Sequence, residues 1–217
     1  LLASSAASDV YKRQYQDRLI INMGYSYHYN SIGGAIINNT IASNSYSIRF
    51  NFESAGNIMY ALSKATNIRK NNDGEYAILG IPYAQYVKGE FDFSKNIRID
   101  HRNSFAFHIG MGIAVPYGNA KTIPFEKQYF SGGANSVRGW TVRDLGPGSF
   151  VRDENTNLLD QSGDIKLDAS IEYRSKLFWK FQGAIFVDAG NIWTIRDYDN
   201  QPGGVFKFDK FYKQIAV

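Results

Sequence analysis

Apolar and polar side chains alternate along five separate stretches of this chain. The first runs from Leu19 to Asn30, where the odd positions are apolar or aromatic and the even positions from Asn22 onward are small or polar. The pattern recurs over 46–53, 87–99, 105–115 and 165–174. A period of two is typical of a β-strand with one apolar face, so the sequence predicts an all-β fold.

The length of these stretches separates a membrane barrel from a soluble domain. Strands of soluble sandwiches average about 5–6 residues, whereas a tilted strand needs roughly 9–11 residues to cross a bilayer. Barrels of the outer membrane carry an apolar outer band with aromatic girdles and a polar interior. Aromatic residues make up 15% of the chain, and the polar positions carry charges of both signs. These features favour an antiparallel transmembrane β-barrel of the outer-membrane type over a soluble all-β domain, which stays an open alternative.

Strand parity gives two testable sets of side chains. One set should point outward to lipid: Leu19, Phe50, Phe107 and Ile171. The other should point inward: Arg49, Glu90, His108 and Glu172.

Composition excludes other classes of protein. The mean hydropathy is −0.34, and no apolar run approaches the ~18 residues of a spanning helix, which excludes a helical membrane protein. The net charge is +4 and the basic residues are interleaved with acids, so the pI of 9.1 does not indicate a nucleic-acid partner. Because the chain has no cysteine, disulfides and thiol chemistry are excluded.

Both ends of the sequence look incomplete. Residues 1–14 (LLASSAASDVYKRQ) match neither the alternation nor a targeting segment, and they resemble translated sequencing-adapter sequence. We expect them to be a non-native leader before a barrel domain over 15–217. At the other end, Phe211–Val217 begins a new alternating run. The sequence thus predicts about six strands and the start of a seventh, with further strands missing, since open sheet edges do not persist in a membrane.

The connections between the predicted strands differ in length. Those at 100–103 and 177–180 are short, whereas those at 54–75, 116–163 and 194–210 are long. Short and long connections alternate in chain order, as they do in outer-membrane barrels, except for 31–44, which is long where a short turn is expected. Within the first long connection, Ile58–Ala65 is compatible with a short helix or with an apolar loop patch.

A glycine-flanked arginine lies in the longest connection, in the run YFSGGANSVRGW over 129–140. This run, with EYRSKLFWKFQGAIFVDAGNIW over 172–193, resembles the barrel of the Omp85 superfamily, of the BamA and TamA type (bacterial surface antigen), and especially its Bacteroidetes members. The resemblance covers about Asp17 to Val217. The family's loop motif is Val137-Arg138-Gly139 followed by Phe or Tyr, and Trp140 is a conservative departure.

The resemblance implies an inward Glu, here Glu172, and an FxDxG strand, here Phe186 to Gly190. If the hairpin between these strands turns near Trp179, Asp188 lies opposite Ser170 and diagonal to Glu172, so one guanidinium at Arg138 can engage both carboxylates. Gly132, Gly133 and Gly139 would let the loop tip turn tightly. The alternative is that Arg138 is an exposed loop arginine and Asp188 an ordinary interior charge.

Other candidate sites are weaker. His28, His101 and His108 have no partners at ligand spacing, so no metal is expected, and we expect no cofactor. The glycine pair lacks a phosphate-binding frame, and no G-x-S-x-G motif occurs. Phe178 and Trp179 at a short turn are most simply interfacial anchors.

The resemblance implies a barrel of about 16 strands in the outer membrane of a Gram-negative bacterium. It implies a non-enzymatic role in assembly, insertion or translocation of proteins, with outer-membrane lipids, unfolded outer-membrane proteins and periplasmic POTRA domains as partners. Two alternatives stay open: a barrel that anchors or exports a patatin-like phospholipase, and a passive porin. The sequence preceding residue 15 in the parent gene would discriminate among them.

Overall fold

Six long strands form one antiparallel sheet in the computed structural model, which describes residues 17–31, 44–151 and 161–217. The strands of this sheet are β1 (Asn22–Asn30), β2 (Asn44–Ala55), β5 (Tyr86–Arg98), β6 (Asn103–Pro116), β7 (Ile165–Lys176) and β8 (Gln182–Trp193). Helix α1 (Asn57–Ala65) and a small hairpin of β3 (Ala77–Ile78) and β4 (Ile81–Pro82) connect β2 to β5. The expected leader over 1–14 and the interior of the 31–44 connection lie outside the described residues.

The strands follow one another along the sheet in the order β1-β2-β5-β6-β7-β8, each antiparallel to its neighbour. They are 9 to 14 residues long, enough for a tilted strand to cross a bilayer. The turns from β5 to β6 and from β7 to β8 lie at one end of the sheet. The long connections from β2 to β5 and from β6 to β7 lie at the other, as predicted. In the described part of the chain β1 and β8 are the two edges, and they do not pair with each other.

One face of the sheet, the outer face, is apolar and uncovered. The register places Phe50, Phe91 and Met111 in one row across neighbouring strands. Met111 is 46% exposed and Ile185 75%, and no second large sheet packs against them within the described residues. Because such a continuous apolar surface would be unfavourable in water, the face fits lipid contact and not the interior of a sandwich.

The opposite, inner face is polar and carries paired charges. Lys88 lies 3.1 Å from Glu90, and Lys166 lies 3.1 Å from Asp168. His108 lies 3.5 Å from Asp92 and 3.4 Å from the other oxygen of Asp168. The cross-strand pairs put all four predicted inward residues, Arg49, Glu90, His108 and Glu172, on this face.

Two details differ from the sequence-based prediction. Strand β1 begins at Asn22, and Leu19 is not one of its outward residues: it forms a parallel bridge to Tyr83, because its backbone bonds to Pro82 and Ala84 instead. At the other end, Phe211–Lys213 is a 3-10 helix, and only Ala216 pairs with Gly190 of β8. The start of a seventh strand is therefore shorter than the alternation predicted.

Helix α1 confirms the helical alternative for 58–65 over the apolar loop patch. Ser63 on its buried side accepts a hydrogen bond from the Tyr83 hydroxyl at 3.3 Å. Among the described residues, no helix is long and apolar enough to cross a membrane.

Candidate functional site

The connection between β6 and β7, called here the long loop (residues 117–164, described except for 152–160), folds onto the inner face of the sheet. Its arms are held by backbone pairs between Tyr129 and Gly163 and between Ser131 and Leu145. At its tip the N–H of Gly133 donates to the carbonyl of Trp140 at 2.8 Å. This bond closes a tight turn that presents Arg138.

Glycine is required at two positions of this turn and not at a third. Gly132 has φ +97°, and a Cβ there would lie 2.0 Å from the Thr141 carbonyl oxygen. Gly133 has φ +87°, and its Cβ would lie 2.6 Å from a Val142 methyl. Both conformations are ones that residues with a Cβ rarely adopt. Gly139 has neither a positive φ nor any atom within 4 Å of an added Cβ, so the expectation that it shapes the tip has no steric support.

Arg138 contacts both of the acids predicted for it. Its Nε and Nη2 donate to the two carboxylate oxygens of Asp188, each at 2.7 Å, in the bidentate arrangement that suits a planar guanidinium. Its Nη1 donates to Glu172 Oε2 at 2.5 Å. The backbone N–H of Arg138 also donates to Asp188 at 3.0 Å, so the acid binds the turn itself as well as the side chain.

The β7–β8 register explains why one arginine reaches two strands. Ser170 pairs with Asp188 and Glu172 pairs with Phe186, as the turn near Trp179 predicted, so the two acids are diagonal neighbours. The Asp188 side chain is only 3% exposed and that of Glu172 14%. Two carboxylates in diagonal positions of one sheet face would repel each other, and the positive charge of the guanidinium offsets that repulsion. The hydrogen bonds to Asp188, and then the one to Glu172, raise the pKa of Arg138 above its ordinary value, so the arginine stays charged.

Two residues of this site were missed from the sequence. Phe186 lies under the guanidinium, with its ring centroid 3.5 Å from Arg138 Cζ, a cation–π contact. Arg174 donates to the second oxygen of Glu172 at 2.6 Å, so Glu172 lies between two arginines. Strand parity was the available signal for both, because Phe186 is two residues from Asp188 and Arg174 two from Glu172, so each pair shares the inner face.

Of the other residues of the loop motif, Val137 is buried and Trp140 is exposed. Val137 is 1% exposed and packs on Gly190 of β8, where an added Cβ would lie 3.0 Å from the valine methyl and 2.7 Å from the Leu167 carbonyl oxygen. Gly190 therefore provides the space that Val137 fills. Trp140 is 40% exposed.

A second attachment of the long loop is made by Tyr129. Its ring lies on Gly112 of β6, where an added Cβ would be 2.6 Å from the ring, and its hydroxyl donates to the Gly89 carbonyl of β5 at 3.3 Å. Lys88 lies 4.4 Å from the ring centroid. Burial, followed by the negative charge of Glu90, raises the pKa of the Tyr129 hydroxyl, which stays a neutral donor.

A third attachment reaches β2. Lys127 follows Glu126 in a 3-10 helix of the long loop (Phe125–Lys127), and its ammonium lies 2.7 Å from Glu53. Glu53 also accepts a hydrogen bond from Asn22 of β1 at 2.7 Å. The loop is thus bound to the inner face at widely separated strands.

The chemistry of this arrangement is that of a rigid polar clamp. It contains fixed ion pairs and a stacked guanidinium, and over 17–31, 44–151 and 161–217 no three His, Cys, Asp or Glu side chains converge as metal ligands would. The three histidines of the chain do not meet: His108 pairs with two aspartates on the inner face, and His101 lies in the short turn after β5.

Comparison with known proteins gives one family and two relatives. A model of the Omp85 superfamily domain matches residues 4–211. Over 99 residues the chain is 35% identical to the outer membrane protein assembly factor BamA of Neisseria meningitidis serogroup B (strain ATCC BAA-335 / MC58). The matched region covers 42% of this chain and 12% of the relative. The crystal structure of BamA from Haemophilus ducreyi lacking POTRA domains 1–3 is similar with a TM-score of 0.41 and 16% identity, over 84% of this chain and 44% of that one. The chain spans a small part of the curated relative's length.

Proposed function

Because the chain belongs to the Omp85 superfamily, and is thereby an outer-membrane protein of a Gram-negative bacterium, we propose that it forms part of a barrel that assembles, inserts or translocates other outer-membrane proteins. The proposed route is non-enzymatic. Substrate strands would add to an exposed sheet edge through main-chain hydrogen bonds, the mode known as β-augmentation. The proposed partners are unfolded outer-membrane proteins, lipids and POTRA domains of the whole protein. The BamA or TamA type and the Bacteroidetes origin stay predictions.

The observation that carries the proposal is the position of Arg138 between Asp188 and Glu172. An ion pair of a fully exposed arginine would contribute only about 0–1 kcal/mol to stability. Here it makes four hydrogen bonds to two acids on neighbouring strands, one of them almost fully buried. The longest loop is thereby bound specifically to the inner wall, which supports a function in which the position of this loop matters. We propose that this contact holds the long loop in the position that assembly of other proteins requires.

The test is an insertion assay with the whole protein in liposomes and an unfolded β-barrel substrate. We expect Arg138→Ala to lose most of the insertion rate. Arg138→Lys should restore it only partly, because an ammonium cannot bind Asp188 in the bidentate manner. Arg69→Ala is the matched control, since Arg69 is an exposed arginine of the β2–β5 connection. The folded fraction of each variant is measured separately by heat-modifiable gel mobility.

Insertion at the wild-type rate by folded Arg138→Ala protein would contradict the proposed role of the clamp. A whole protein that folds but never accelerates substrate insertion would contradict the assembly function itself.

A further inference from the structure

A segment rich in lysine and aromatic residues lies just after β8. Residues 205–213 read VFKFDKFYK, with lysines at every third position (Lys207, Lys210 and Lys213) and aromatic residues between them. All three lysines are exposed. Phe208 is 83% exposed and Tyr212 58%, which is unusual for aromatic side chains in water.

This segment is attached to the outer, apolar face of the sheet. Trp193 ends β8 and pairs with Ile165, which in turn pairs with Ile113, so its side chain lies in an outward row. Phe206 lies 5.5 Å from the Trp193 ring, edge to face, and Phe211 6.4 Å from it. These two rings cover Trp193, which is fully buried. The segment therefore extends the lipid-facing surface at its long-connection end.

An apolar groove of about 380 Å³ lies below the segment on the same face. Its floor includes Met111, Ile113 and Leu167, and its wall is formed by Trp193, Phe206 and Phe211. The groove lies where acyl chains would contact the barrel. Lys207 and Lys210 are adjacent in sequence to Phe206 and Phe211 of its wall. Apolar floor and cationic rim thus match the two halves of one amphiphile.

The charge of the rim is not neutralised by the protein. Within the described residues no carboxylate lies within ion-pair distance of Lys207, Lys210 or Lys213, and the segment contains one acid, Asp209. In outer-membrane barrels the long connections are extracellular, so this rim lies at the level of the outer-leaflet headgroups. Lysines near an anionic membrane surface attract phosphate-bearing lipids.

We propose that residues 205–213 and the groove below them bind an anionic lipid of the outer leaflet, with the lysines on its headgroup phosphate and an acyl chain in the groove. This site is separate from the Arg138 clamp and does not depend on the proposed assembly function. Phe208 and Tyr212 would lie among the lipid headgroups, where aromatic rings are favoured.

The experiment places the whole protein in phosphatidylcholine nanodiscs with and without diphosphoryl lipid A, and counts retained lipid A by native mass spectrometry. The test variant is Lys207→Gln/Lys210→Gln/Lys213→Gln. The matched control is Lys64→Gln/Lys70→Gln/Lys121→Gln, three exposed lysines at the same end of the sheet with the same change in charge. A third variant, Phe208→Ser, tests the contribution of an exposed aromatic ring and leaves Phe206 and Phe211, which cover Trp193, in the chain.

We expect the test variant to bind lipid A about 100-fold more weakly, since each lysine near an anionic surface contributes about fivefold. The control should bind as the wild type does, and Phe208→Ser should bind more weakly than wild type. Equal retention by the test variant and the control would overturn the proposal. So would displacement of lipid A by inorganic phosphate alone, which would indicate a free-phosphate site.

Discussion

Asp188 receives three hydrogen bonds from Arg138, one from the backbone N–H at 3.0 Å and two from the guanidinium at 2.7 Å. The backbone bond fixes the turn, while the guanidinium bonds fix the direction of the side chain. A substitution at Asp188 would therefore release both. A substitution at Arg138 would remove only the side-chain contacts and leave a buried carboxylate without its counter-charge.

The first prediction concerns the coupling of these two residues in the whole protein. Arg138→Ala should lower the free energy of unfolding of the barrel by about 3 kcal/mol, the cost of breaking a largely buried pair. The Arg138→Ala/Asp188→Asn double variant should be less destabilised than the sum of the two single variants, because it leaves no unpaired buried charge. Urea titration with heat-modifiable mobility as the readout measures this. Strict additivity would show that the two side chains are not coupled.

The second prediction concerns Phe186. Phe186→Leu keeps an apolar side chain but removes the aromatic face under the guanidinium, so we expect a loss of about 1 kcal/mol. Phe186→Tyr should retain most of the stability. Val187→Leu is the control, since Val187 is on the outer face of the same strand and 57% exposed. A Phe186→Leu variant as stable as this control would show that the cation–π contact does not contribute to stability.

The third prediction separates the glycines of the turn. Gly132→Ala places a Cβ 2.0 Å from a carbonyl oxygen in a left-handed conformation, so it should cost more than the roughly 1–3 kcal/mol of backbone strain alone. Gly139→Ala should be tolerated, because nothing lies within 4 Å of the added carbon. Both are measured as urea midpoints of the whole protein. If Gly139→Ala were the more destabilising of the two, Gly139 would have a role that its surroundings in the folded structure do not explain.

The fourth prediction concerns pH. Burial raises the pKa of Asp164, which is 1% exposed beside the start of β7. Its folded form binds a proton more tightly than its unfolded form, so its contribution to stability falls as pH rises from about 4, the unfolded value, through the raised pKa. Asp164→Asn removes this dependence. The stability of the wild type relative to the Asn variant should therefore decline as pH rises above about 4.

Asp100 provides a control of opposite sign. The Asn103 side chain and the Arg102 backbone N–H lower its pKa, so it stabilises the short turn above its unfolded pKa and loses this effect as pH falls through the lowered value. Asp100→Asn should reduce the melting temperature near neutral pH and not in strong acid. Parallel pH profiles for the two Asn variants would contradict one of the two assignments.

Much of the fold follows from the sequence because alternation determines both strand and face. The pairing of Ser170 with Asp188 could be predicted from a single assumed turn, since an antiparallel register is fixed once one pair is known. Leu19 broke the rule because backbone bonds to the β4 hairpin compete with the sheet edge. The C-terminal run broke it because aromatic packing on Trp193 outweighs strand pairing there.

The site was predictable only in part. The two acidic partners of Arg138 could be predicted from strand parity and from the family motif. Phe186 could not, because an apolar residue on an inner face is not expected to be a partner for a charge. Tyr129 and Lys127 attach the loop through contacts with Gly112 and Glu53 that are distant in sequence. Such contacts depend on the path of the loop, which alternation does not describe.

The three attachments of the long loop have a mechanical consequence. Lys127 binds β2, Tyr129 lies on β5 and β6, and Arg138 binds β7 and β8. One segment therefore braces five adjacent strands from inside, in addition to their own ladders of hydrogen bonds. Because the loop connects these strands to one another, we expect them to resist sliding past each other and to move as one rigid unit. Bending of the barrel would then be concentrated outside these five strands.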